Sequence, residues 1–113
     1  MNLQMRDFAI RDLGCTACHM QGLAFVMCEK HHLNEGDQPG RKRRGERFTV
    51  GLCKYHHTGH CAHTGVITDC AMCKETYGPS WRHHKREFLE TYGTGDELLA
   101  VQDSRIDNWK AAA

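Results

Sequence analysis

Gly51-Leu52-Cys53-Lys54-Tyr55-His56-His57-Thr58-Gly59, residues 51–59, holds a metal knuckle at the end of a strand-like run. The two-residue gap of Cys53-x-x-His56 folds both side chains toward one tetrahedral ion. Its complement lies upstream in Cys15-x-x-Cys18, and a zinc shared by the four would clamp everything between them. Between them stand two strand-like runs. Ala24 to Leu33 sets Ala24, Val26 and Cys28 on one face and Phe25 and Met27 on the other. Phe48 to Leu52 sets Phe48, Val50 and Leu52 on one face. Turn-forming Asn34-Glu35-Gly36-Asp37-Gln38-Pro39-Gly40 separates them, so the middle of the chain reads as a hairpin with a long loop.

Outward from this hairpin, Met5, Phe8 and Ala9 at helical spacing predict a short N-terminal helix, followed by a tight turn over Gly14–Cys18. Residues 58–79 read as loop, with Gly59, Gly65 and Gly78-Pro79 as breakers. Ser80 is placed to cap a helix from Trp81 to Tyr92. Thr94-Gly95-Asp96-Glu97 has the form of a capping box that opens a last helix. The layout is α+β, one small zinc-stabilised domain over residues 1–113 with flanking helices and long loops. A second cluster, His60, Cys61, His63, Cys70 and Cys73, offers another knuckle in Cys70-x-x-Cys73. Cys61 and His63 are the first choice to complete a second zinc site, with His60 next. Cys28 has no partner at ligand spacing and suits the core.

Composition fits this reading. Seven Cys and nine His stand in 113 residues, of which only 8% are aromatic, so a small core needs another constraint. An odd cysteine count and a polar start, Met1-Asn2-Leu3-Gln4, argue against a secreted disulfide framework. No apolar run approaches the ~20 residues of a membrane span. Metal-bound thiolates in a reducing cytosol are expected instead. Net charge is +1, which says nothing about nucleic acid, but its distribution is uneven. Residues 1–86 carry thirteen basic and eight acidic side chains, and residues 87–113 carry two and six. Five bases fall in Arg41-Lys42-Arg43-Arg44-Gly45-Glu46-Arg47, which is either a solvated loop or a phosphate grip.

The doubled histidines favour the grip. His31-His32 ends the first strand and His56-His57 follows the second. With His56 on the structural zinc, His57 is left to face the other pair. Adjacent strand residues diverge, so His31 and His32 take different tasks. Phosphodiester hydrolysis needs an activated water, a cation and a hold on the backbone. His32 would activate the water, His31 and His57 would hold Mg²⁺ or a similar ion, and Arg41, Arg43 and Arg44 would touch DNA phosphates.

Cys15-x-x-Cys18, Cys28-Glu29-Lys30-His31-His32-Leu33, residues 51–59 and Gly78-Pro79-Ser80 together resemble the HNH (ββα-metal) endonucleases. More narrowly, they are similar to the phage recombination-enhancement (Ref) family of RecA-dependent nucleases, over about Gly14 to Leu99. The resemblance implies a ββα-metal core with zinc loops, a phage or prophage origin, metal-dependent DNA cleavage in a bacterial host's cytoplasm, and a RecA filament as partner. By position, His32 matches the general base, and His31 and His57 match metal ligands. Phe48 stands where the motif's Asn is expected, five residues before Cys53. Two other readings of the chain stay open, a non-catalytic zinc module that binds DNA or a recombinase, and an RNase on the same scaffold. His84, in the His83-His84 pair, is an alternative to His57 at the catalytic ion.

Overall fold

The computed structural model describes residues 1–34, 44–60 and 70–112, and for 70–72 the backbone alone. The elements run α1 (Leu3–Leu13), α2 (Thr16–Met20), β1 (Glu29–His32), β2 (Thr49–Leu52), α3 (Lys54–Thr58), α4 (Cys70–Tyr77), α5 (Lys85–Tyr92) and α6 (Gly95–Ala112). The hairpin is antiparallel, pairing Glu29 with Leu52, Lys30 with Gly51, His31 with Val50 and His32 with Thr49. Residues directly opposite share a face. Glu29 and His31 therefore lie on the face of Leu52 and Val50, while Lys30 and His32 lie on that of Gly51 and Thr49.

All four residues of β2 are buried, because both its faces are covered. Val50 and Leu52 enter the main core with Leu33, Tyr55, Phe88 and Leu98. On the other face α1 approaches so closely that a Cβ on Gly51 would sit 2.8 Å from Cys28 Sγ and 2.9 Å from Ile10 Cγ2. Only glycine fits there. The outer edge of β2 is closed by Gln102 of α6, whose Oε1 accepts from Gly51 N and from Thr16 Oγ1, both at 2.8 Å. Buried Arg6 joins α1, β2 and α6: it donates to the Thr49 carbonyl at 2.7 Å and pairs with Asp103 at 2.7 Å.

Several expected elements are displaced. Helix α1 forms, with Asn2 as its cap, but Met5 and Phe8 point outward and the buried residues are Arg6, Ala9 and Ile10. The first strand covers Glu29–His32 rather than starting at Ala24, because its partner ends where Cys53 turns into the second knuckle. Residues 24–28 instead run beside the first knuckle, with Cys15 N donating to the Val26 carbonyl at 2.9 Å and Phe25 and Met27 exposed. Within the stretch read as loop, Cys70–Tyr77 is helical, as the helix formers Ala71, Met72, Lys74 and Glu75 allow. Ser80 caps only a single turn, its Oγ accepting from His83 N at 3.2 Å, and α5 starts at Lys85. The capping box forms reciprocally between Thr94 and Glu97, each bond 3.2 Å.

Candidate metal centre and histidine cluster

One construction is used twice. Cys15 caps α2 with its sulfur, accepting from Cys18 N at 3.3 Å, and Cys53 caps α3, accepting from His56 N at 3.5 Å. The two turns face each other across the base of the hairpin. Cys15, Cys18, Cys53 and His56 are all buried, with donor atoms within 4.8 Å of one another. Their closest approaches are 3.2 Å (Cys53 Sγ to His56 Nδ1), 3.5 Å (Cys18 Sγ to His56 Nδ1), 3.6 Å (Cys15 Sγ to His56 Nδ1) and 3.9 Å (Cys18 Sγ to Cys53 Sγ). A tetrahedron with zinc–ligand lengths of about 2.0–2.3 Å has edges of roughly 3.5–3.8 Å. The cluster can hold a zinc ion. His56 Nε2 donates to the Tyr77 carbonyl at 2.8 Å, which leaves Nδ1 with its lone pair toward the sulfurs.

The donor chemistry agrees. Hydrogen bonds from Cys18 and then Cys53 push the Cys15 thiol far below its ordinary pKa, while Cys15 and Cys53 push Cys18 far above it. Burial works against charge on His56, but the neighbouring Cys15 and Cys53 outweigh it and raise its pKa to about 10. These groups compete for a few shared protons, and a divalent cation replaces all of them at once.

Beside this centre the structure brings His31 and His57 together. Their ring centroids are 4.9 Å apart, and Trp81 lies against the buried His31 at 4.7 Å. His57 Nδ1 is 2.6 Å from Glu29 Oε1. His32 is placed on the opposite face of the hairpin, its Nε2 3.0 Å from Glu46 Oε1. Lys30 continues this second group, 3.4 Å from Glu46 and 3.0 Å from Asp7. Because β1 is an edge of the two-stranded sheet, both groups border the same margin.

Other sequence candidates fall elsewhere. Arg44 pairs with Asp96 at 2.6 Å and its guanidinium covers the Phe48 ring at 4.4 Å. Phe48 thus packs beneath Arg44. Arg41, Arg43, Cys61 and His63 lie outside the described residues, as does the side chain of Cys70. Cys73 is buried in the main core and His60 is exposed. Cys28 packs between the two core clusters and donates to the Ile10 carbonyl at 3.3 Å, as its lack of a ligand partner suggests. His84 Nδ1 accepts from Ser80 N at 3.1 Å, and His83 packs on Gly59, where a Cβ would strike its ring.

Sequence reasoning passed over Glu29, Glu46 and Trp81 as members of these groups. Glu29 was within reach, since it stands two residues before His31 and so shares its face. Glu46 and Trp81 meet their histidines only through the loop and the turn before α5.

No described helix is long and apolar enough to cross a membrane. The family model for recombination enhancement, RecA-dependent nuclease, matches residues 4–107. No match was found among curated proteins or solved structures.

Proposed function

We propose that this chain, which belongs to the recombination enhancement, RecA-dependent nuclease family, cleaves DNA by metal-assisted hydrolysis along the β1 margin. That it is a nuclease follows from the family; the division of labour among its residues is our reading. The observation that carries it is the meeting of His31 and His57 next to the zinc knuckle, with Glu29 on His57. These two histidines would hold a divalent ion, and Cys15, Cys18, Cys53 and His56 would hold the structural zinc. When bound, the divalent ion supplies Lewis-acid stabilisation of the charge that builds on the phosphodiester oxygens.

His32 is the general base in this reading. Glu46 accepts from its Nε2–H, which leaves the Nδ1 lone pair to take a proton from the attacking water. A phosphodiester laid along the β1 edge would meet His31 and His57 from one face of the hairpin and His32 from the other. His84 suits the ion less well than His57. Its Nδ1 accepts from the backbone, so the neutral ring keeps its proton on Nε2 and has no lone pair to offer. The basic residues Arg41 and Arg43 would contact DNA phosphates, with Arg44 released from Asp96 as DNA arrives.

The test is cleavage of single-stranded DNA, duplex DNA and RNA with Mg²⁺ or Mn²⁺, with and without RecA filaments, comparing wild type with His32→Ala and His57→Ala. DNA cleavage lost in both variants, with zinc retained, supports the reading. Cleavage undiminished in His32→Ala removes that residue as base, and preferential cleavage of RNA reassigns the substrate.

A further inference from the structure

We infer that Glu29 is the positioning residue for His57, fixing which of its ring nitrogens faces the catalytic ion. The inference rests on the reading of His57 as a ligand. An ionised carboxylate can only accept a hydrogen bond, so the 2.6 Å contact between Glu29 Oε1 and His57 Nδ1 places the ring proton on Nδ1. A neutral His57 then carries its lone pair on Nε2.

Three features make this more than a surface ion pair. The two side chains are only 39% (Glu29) and 27% (His57) exposed. They belong to different elements, Glu29 opening β1 and His57 standing in α3, one residue after the zinc ligand His56. The knuckle that clamps β2 to α3 therefore also sets the distance between carboxylate and imidazole. Finally, the carboxylate is not shared with the adjacent cation, because Lys30 turns to the other face and pairs with Asp7 and Glu46. Residue 29 shares its face with His31, so one short strand contributes both a ligand and the group that orients the second ligand.

The experiment uses the zinc-loaded full chain labelled with ¹⁵N. Two-bond ¹H–¹⁵N spectra read the tautomer of His57, and loss of the free Mn²⁺ electron paramagnetic resonance signal reads ion binding. In the wild type the Nδ1–H form is expected. Glu29→Ala is expected to move His57 toward the Nε2–H form and weaken Mn²⁺ binding about 10–100-fold. Glu29→Gln keeps an acceptor of the same size, so it should retain the tautomer and lose several-fold less affinity than Glu29→Ala. An unchanged tautomer and unchanged Mn²⁺ affinity in Glu29→Ala, while His57→Ala weakens binding, overturns the inference alone. Mn²⁺ binding unaffected by His57→Ala overturns the ligand assignment beneath it. Should Glu29→Ala lose its zinc, the wild-type tautomer decides: a His57 protonated on Nε2 overturns the inference, and one protonated on Nδ1 supports it.

Discussion

His56 Nε2 lies 2.8 Å from the carbonyl oxygen of Tyr77, so the last residue of α4 holds the imidazole whose other nitrogen faces three sulfurs. Tyr92 braces the same contact, its hydroxyl 3.2 Å from His56 Nε2 and 3.3 Å from the Tyr77 carbonyl. The hydroxyl in turn accepts from Gln21 Nε2 at 2.5 Å. The end of α2, α4 and α5 thus converge on one member of the Cys15, Cys18, Cys53 and His56 cluster.

The zinc is therefore expected to be a condition of folding. Cys53→Ser or His56→Ala should lose the ion bound by this cluster and with it cooperative thermal unfolding, as should a strong chelator. Tyr92→Phe removes the hydroxyl that contacts Gln21, His56 and the Tyr77 carbonyl, but no member of the cluster. It should keep the zinc and cost about 1 kcal/mol. Metal analysis beside calorimetry checks both. A His56→Ala chain that still binds zinc at this cluster and melts as the wild type does would show that the ion is not held here. Acid should act in the same direction, because protons compete with the ion for three thiolates and an imidazole; zinc release should rise as pH falls.

Arg6 and Asp103 form a pair whose halves are unequally buried, their side chains 10% and 48% exposed. Arg6→Ala leaves the buried Thr49 carbonyl without that donor and opens the α1–β2–α6 junction, which should cost about 3 kcal/mol. Asp103→Ala leaves the guanidinium bound to Thr49 and should cost no more than about 1 kcal/mol. Urea denaturation of the zinc-loaded protein measures the two. Equal losses would mean that the ion pair, rather than the Thr49 contact, dominates.

How much of this was legible in the sequence follows from range. The gathering of Cys15, Cys18, Cys53 and His56 was, because Cys15-x-x-Cys18 and Cys53-x-x-His56 carry their geometry in their own spacing. So was the hairpin between them, and the meeting of His57 with His31 follows once His56 is committed to the zinc. Strand length was not, since apolar Ala24–Cys28 satisfies the strand pattern but has no partner beyond Leu52. The inward face of α1 was not legible either, because Arg6, a charged residue, is buried there with Ala9 and Ile10 through contacts to Thr49 and Asp103 far along the chain. Helix α4 was hidden by reading Cys70-x-x-Cys73 only as a ligand pair among glycines. Glu46 beside His32 and Trp81 beside His31 depend on tertiary placement that no local spacing encodes.

Cys28 gives a pH test independent of catalysis. Burial first, and then the neighbouring Cys15 and Cys53, push its thiol up to about 11. A thiol whose pKa rises on folding holds its proton longer in the native state than in the unfolded chain. Its contribution is thus intact at neutral pH and lost as pH climbs from the unfolded value toward 11. Alkylation of Cys28, followed by peptide mass mapping, should be slow at pH 8, where about one thiol in a thousand is ionised, and should accelerate steadily above it. Rapid modification at pH 8 would show that the half-buried thiol is not packed against the Ile10 carbonyl as described.

Glu46 and His32 offer the sharpest test of the proposed chemistry. The carboxylate is held below its usual range, first by its hydrogen bond to His32 and also by that to Lys30, so it stays ionised as an acceptor for Nε2–H. Removing the base should be far costlier than removing its orienter. His32→Ala is expected to lower kcat about 10²–10⁴-fold, the usual range for a positioned general base, with zinc content unchanged. Glu46→Gln keeps a hydrogen-bond acceptor and should cost about tenfold or less, because the ring retains its tautomer while losing the nearby charge. Single-turnover cleavage at saturating Mg²⁺ separates these effects from ion binding. If Glu46→Gln proved as damaging as His32→Ala, the carboxylate would itself be the group that accepts the proton, and His32 would be reduced to holding it in place.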